Sequence, residues 1–76
     1  DPRNEQSRLD LANYQQSLAE SYARLGKRDE AAGLLAKAVV VYEDSLKRNP
    51  ADAEVAAYLT SARRLIEYNK AGSNPR

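Results

Sequence analysis

Two interruptions constrain this chain more than any other feature. Gly26, set between Leu25 and the charged run Lys27-Arg28-Asp29-Glu30, and the pair Asn49-Pro50 are the breaks in an otherwise helix-forming sequence of 76 residues. Glycine adopts the left-handed conformation that closes a helix. Proline lacks the amide that the helix ladder needs and pushes the residue before it out of the helical region. Two breaks predict three helices, at about residues 4–25, 29–48 and 52–70, joined by connections short enough to make neighbours antiparallel. The expected fold class is all-α.

The ends of these segments carry matching signals. Asp1-Pro2 or Asn4 suits a helix start, Asp29 and Glu30 suit the positive end of the second helix, and Lys47 and Arg48 suit its negative end. Asp52 and Glu54 fall in the first turn of the third, and Gly72 just past its end. Apolar residues recur at steps of three and four. They are Leu11, Tyr14, Leu18, Tyr22 and Leu25 in the first helix, and Ala31, Leu34, Leu35, Ala38, Val41, Tyr42 and Leu46 in the second. The third carries Val55, Tyr58, Leu59, Ala62, Leu65 and Ile66. Each set predicts one core-facing stripe. Val39-Val40-Val41 also suits a buried strand, though flanking Ala, Lys and Leu favour helix. Glu43 to Lys47 and Asp44 to Arg48 read as i,i+4 ion pairs on the outside.

Composition removes several functions. There is no Cys, Met, Trp, Phe or His, so disulfides, thiolate metal sites, catalytic triads and phosphorelay histidines are excluded. The compartment stays open. Twelve Lys and Arg against eleven Asp and Glu leave a formal charge of +1, too little to attract nucleic acid or an anionic membrane. The longest apolar run, Ala38 to Tyr42, is far short of the roughly 20 residues of a membrane span. Without a Gly-rich phosphate loop or a metal-ligand cluster, the expectation is no enzyme and no cofactor. The first residue is Asp, which reads as a fragment of a longer protein. The expected organisation is one domain over residues 1–72, with 73–76 as a disordered tail.

An internal repeat underlies the pattern. Asp1-Pro2-Arg3-Asn4 aligns with Asn49-Pro50-Ala51-Asp52, Leu11 with Leu59, and Leu18 with Ile66, a spacing of 48 residues from Pro2 to Pro50. Repeats of ~20–50 residues built from helix pairs signal a solenoid. The third helix then reads as the first half of a second unit.

Leu18-Ala19, Tyr22, Gly26, Ala31 and Ala38 fall at the spacing of the tetratricopeptide repeat, and over nearly its whole length the chain resembles that family. Asn49-Pro50 looks like the closing proline of such a repeat. About two extra helical turns separate Ala38 from Pro50 relative to the ordinary ~34-residue unit, Arg28 stands where an aromatic often follows the turn, and Gln15 where an early aromatic is common. The chain is thus similar to the lengthened repeats of kinesin light chains and of bacterial signalling proteins. The resemblance implies a protein-binding scaffold in a larger bacterial signalling protein, its concave face lined by first helices. On that face it places Asn13, Gln16, Glu20 and Arg24 of the first helix, with Ser61 and Arg64 of the third facing them. The implied partner is a protein or peptide.

Other readings attach to the remaining features. A plain three-helix bundle explains the alanines by packing alone. A self-associating structural domain is the alternative function, because the apolar stripe of the third helix lacks a second-helix partner of its own and could be covered in a homodimer. Carboxylate pairs at Asp29-Glu30, Glu43-Asp44 and Asp52 with Glu54 read as caps and solubilising charge. Arg24, Lys27 and Arg28 gather near one turn as the best anion-facing candidate. Most tyrosines read as core residues with hydroxyls at the surface.

Overall fold

The computed structural model of the protein describes the backbone of residues 2–73 and the side chains of residues 4–71. Three helices and no strand occur among these residues: α1 (Pro2–Arg24), α2 (Arg28–Arg48) and α3 (Ala53–Ser73). The chain is all-α, and the valine run lies inside α2.

Gly26 makes the first reversal possible. Its φ of +82° is left-handed, the one such backbone conformation among the described residues, and it lets the last carbonyls of α1 find donors. Lys27 N–H bonds the Tyr22 carbonyl at 2.9 Å and Gly26 N–H bonds Ala23 at 3.1 Å, the paired bonds of a Schellman motif. The Lys27 ammonium sits 5.9 Å over the Tyr22 ring. At the second reversal, Asp52 lies just outside α3 rather than in its first turn. Its Oδ1 accepts from Val55 N–H at 3.2 Å, satisfying one of the orphan amides of the helix start. Gly72 does not stop α3, which runs through it to Ser73. Asn74, Pro75 and Arg76 of the expected tail, and Asp1 of the expected start, lie outside the described residues.

The helix in the middle of the sequence is also central in space. α2 packs against α1 on one side and α3 on the other, while α1 and α3 touch little. The result is a slab measuring 46 × 19 × 14 Å. Its core holds Ala12 and Ala19 from α1, Ala31, Leu35, Ala38 and Tyr42 from α2, and Val55, Leu59 and Ala62 from α3. Alanines at the α1–α2 contact let the two backbones approach closely, so Leu35 and Tyr42 carry much of the buried bulk.

The expected stripes of α2 and α3 supply the buried face of each, and that of α1 does not. Leu11, Tyr14 and Leu25 are 56%, 63% and 71% exposed, and Leu18 and Tyr22 are half-buried. The large residues of α1 are rotated away, because close approach to α2 requires the small side chains of Ala12 and Ala19 at the contact. The stripe of α3 needs no second chain: Val55, Leu59 and Ala62 are buried within the fold. Ion pairs mark the seams. Arg63 meets Glu43 at 2.9 Å, tying α3 to α2 in place of the expected Glu43–Lys47 pair, whereas Asp44 meets Arg48 at 2.7 Å as expected.

Candidate functional site

One groove lies between α1 and α3, with Tyr42 of α2 buried beneath its α1 wall. It encloses about 330 Å³ and is lined by Asn13, Gln16, Ser17, Glu20 and Tyr58. The first four recur at i, i+3, i+4 and i+7, so a single face of α1 supplies that wall. Tyr58 supplies the other from α3.

Tyr42 holds this wall in place from beneath. Its ring is fully buried and packs against Tyr58 with centroids 5.7 Å apart. Its hydroxyl donates to Asn13 Oδ1 at 2.6 Å and lies 3.0 Å from Gln16 Oε1. One phenol carries one proton, so both contacts are satisfied together when the Gln16 carboxamide turns its NH2 group toward the hydroxyl oxygen. The Asn13 amide also hydrogen-bonds the Tyr58 hydroxyl, so this side chain links the phenols of α2 and α3. The groove wall therefore presents two carboxamides one turn apart, both held by the buried Tyr42 hydroxyl.

Electrostatics keep both phenols neutral. Burial pushes the Tyr42 hydroxyl up to about 12, with Tyr58 adding to the rise. The Tyr58 hydroxyl donates to Glu54 Oε2 at 3.0 Å, and this bond, reinforced by burial, raises its pKa against a smaller opposing hydrogen bond from Asn13. Glu20 accepts from Arg24 at 2.8 Å across one helical turn. The site offers amides, a hydroxyl, a phenol and one ion-paired carboxylate. Such groups bind extended polar chains by hydrogen bonding.

Of the six residues expected on this face, Asn13, Gln16 and Glu20 line the groove, while Arg24 lies outside its lining and pairs with Glu20. Ser61 is exposed one turn beyond Tyr58. Arg64 does not face α1; with Thr60, Arg63 and Glu67 it lines a separate depression on α3. Ser17 and Tyr58 were not anticipated, and neither was the role of Tyr42 as an anchor. A signal for the anchor was present, since Asn13 and Gln16 stand one turn apart and a buried tyrosine needs an acceptor for its hydroxyl.

At the cationic turn, acidic neighbours offset the basic side chains. Lys27 and Arg28 share their depression with Asp29 and Glu30, while Arg24 is taken by Glu20 and Lys27 by the Tyr22 ring. Charge at the opposite end of the slab is likewise matched. Arg48 bridges Glu5 and Asp44, and Asp44 also meets Arg8 at 3.1 Å. Ser45, buried in α2, hydrogen-bonds Glu5 and, with Arg48, lowers its pKa. The described residues hold no group of three or more His, Cys, Asp or Glu side chains able to bind a metal ion, and no helix long and apolar enough to cross a membrane. Comparison with known protein families, curated proteins and solved structures finds no match.

Proposed function

We propose that this chain is a non-catalytic interaction module of the tetratricopeptide type, in which the α1–α3 groove receives an extended segment of a partner protein. The observation that carries the reading is the anchoring of Asn13 and Gln16 by the buried Tyr42 hydroxyl. Two carboxamides on an exposed helix face ordinarily sample many rotamers, and ordering them on binding costs ~0.5–1.5 kcal/mol per side chain. Here the contacts with Tyr42 restrict both side chains before a ligand arrives, which supports the reading. An extended backbone presents alternating N–H and C=O groups, and carboxamides carry both the donors and the acceptors to meet them.

Resemblance supplies the rest of the proposal: the Gly26 turn and the small residues at Ala31 and Ala38 are the positions by which the chain is similar to that family, and a bacterial signalling protein is the parent the lengthened repeat suggests. Asn13 and Gln16 do not reproduce the Lys–Asn pairs that clamp a peptide C-terminus, so that ligand is not part of the proposal.

A displayed library of random peptides panned against the chain tests the reading. Selected peptides should lose at least tenfold in affinity when Gln16→Ala is combined with Arg24→Glu, with helicity by circular dichroism unchanged. Peptides bound equally well by that variant would remove the groove from consideration.

A further inference from the structure

The outer face of α1, continued by Leu25 just past its end, carries a row of apolar residues that the described chain leaves largely uncovered. Leu11, Tyr14 and Leu25 are more than half exposed, and with half-buried Leu18 and exposed Ser21 they step by three and four along the helix. In heptad terms Leu11, Leu18 and Leu25 occupy a positions, and Tyr14 and Ser21 occupy d positions, of a two-stranded seam. At about 100° per residue this row is centred well over a quarter-turn from Ala12 and Ala19, so it is a second face and not the margin of the core.

The internal repeat indicates what such a face does. Leu59, Ala62 and Ile66 of α3 stand 48 residues after Leu11, Tyr14 and Leu18, the same spacing as Pro2 to Pro50. In α3 these positions belong to the face that packs into the core against α2. Equivalent positions are therefore packed against a helix in α3, whereas in α1 Leu11 and Tyr14 stay exposed and Leu18 is only half-buried.

We propose that a second copy of this chain covers this face, with the two α1 helices packed antiparallel about a two-fold axis near Ser17. Charge selects this occupant and its direction. The positions flanking the seam on one side are Asp10, Ser17 and Arg24. In an antiparallel pair these meet their own set across the axis, so Asp10 of each copy faces Arg24 of the other and the favourable pair occurs twice. A parallel pair would set Asp10 beside Gln15 and Ser17 beside Tyr22, with no opposite charges meeting. Both charged residues are exposed; their present contacts, Arg24 to Glu20 and Gln6 to Asp10, run along α1 and leave its outer side open.

The seam is small. From the fractional exposures of its residues, pairing buries on the order of 400 Å² of apolar surface per copy, about half the ~800 Å² per partner of a standard interface. A reversible dimer with micromolar affinity is the expectation.

Sedimentation equilibrium of the chain over a wide concentration range tests this. A monomer–dimer equilibrium should appear, and Leu11→Glu with Leu25→Glu should abolish it while helicity is retained, since both side chains are exposed. Asp10→Arg alone should raise the dissociation constant about tenfold, and adding Arg24→Asp should restore it. The charge pair lies on the surface, so this arm stands even where the leucine variant folds poorly. A chain that stays monomeric at millimolar concentration, a dimer that survives the leucine changes with helicity intact, or a charge swap without rescue overturns the proposal.

Discussion

The Tyr42 hydroxyl links the core to the groove, and its titration gives the sharpest test of that link. Burial holds the phenol neutral, so in the fold it ionises at about 12 rather than at 10.0. The native state therefore binds this proton more tightly than the unfolded chain does. Its contribution to stability is complete below pH 10.0 and is lost as the pH rises toward about 12. The difference between 10.0 and about 12 corresponds to about 2.7 kcal/mol. Tyr42→Phe keeps the ring and its contact with Tyr58 but removes the hydroxyl. At neutral pH the variant should be less stable by about 1–1.5 kcal/mol, because Asn13 loses its donor. Urea unfolding at a series of alkaline pH values should show this deficit shrinking and then reversing, since the variant has no phenol to ionise at that site. Subtracting the tyrosinate absorbance of the variant from that of the unchanged protein isolates the Tyr42 titration directly. A stability difference that stays constant from pH 10 to 12 would refute the account of a buried, neutral anchor.

Three further perturbations probe the fold. Ala38→Leu should cost about 1–3 kcal/mol by overfilling the α1–α2 contact, whereas Leu11→Ala should stay within ~0.5 kcal/mol; thermal unfolding compares the two, and the reverse order would restore the large residues of α1 to the core. Gly26→Ala should destabilise by about 1–2 kcal/mol in chemical denaturation through backbone strain alone, since a Cβ there meets nothing within 4 Å, and Gly26→Asn should cost less. Glu5 and Asp44 have lowered pKa values, Glu5 chiefly through Ser45 and then Arg48, Asp44 chiefly through Arg48 and then Arg8. The stability they contribute is present above their ordinary values of 4.5 and 3.8 and is lost as the pH falls through the lower folded values. Arg48→Gln should flatten that acid limb of a stability-versus-pH curve.

What could be read in advance divides along physical lines. Helix number and the two reversals were legible because Gly26 and Pro50 act locally, through φ and a missing amide, whereas the end of α3, which runs through Gly72 to Ser73, was not. The buried faces of α2 and α3 were legible because their large apolar residues lie where contacts form on both sides or against a single broad neighbour. The α1 face was not, because apolar periodicity weighs Leu above Ala, while close helix approach reverses that order at Ala12 and Ala19. In the groove, Asn13, Gln16 and Glu20 share a helix face and could be grouped by spacing. Tyr58, Tyr42 and the turning away of Arg64 depend on how α3 sits against α2, a tertiary fact that no spacing within one helix contains.

The same arrangement makes the groove sensitive to one weak joint. α3 is held almost entirely through α2, by Val55, Leu59 and Ala62, the Arg63–Glu43 pair and the bond from Asn69 to the Arg28 carbonyl. One oxygen of buried Asn69 has no protein partner, a desolvation cost that weakens the attachment of the last turns of α3. Local opening should therefore release α3 before α1 and α2 separate, and it removes Tyr58 and with it one wall of the groove. A peptide that binds between α1 and α3 binds only the closed form. Its binding must then stabilise closure in proportion to its affinity, by about 2.7 kcal/mol at a hundredfold excess over its dissociation constant. Amide exchange followed residue by residue should show α3 gaining up to a hundredfold protection in such a peptide, with α2 little changed where its amides exchange only on global unfolding well below the ligand-linked limit. Equal gains across all three helices would mean that the slab opens as one unit and that α3 is no separate joint.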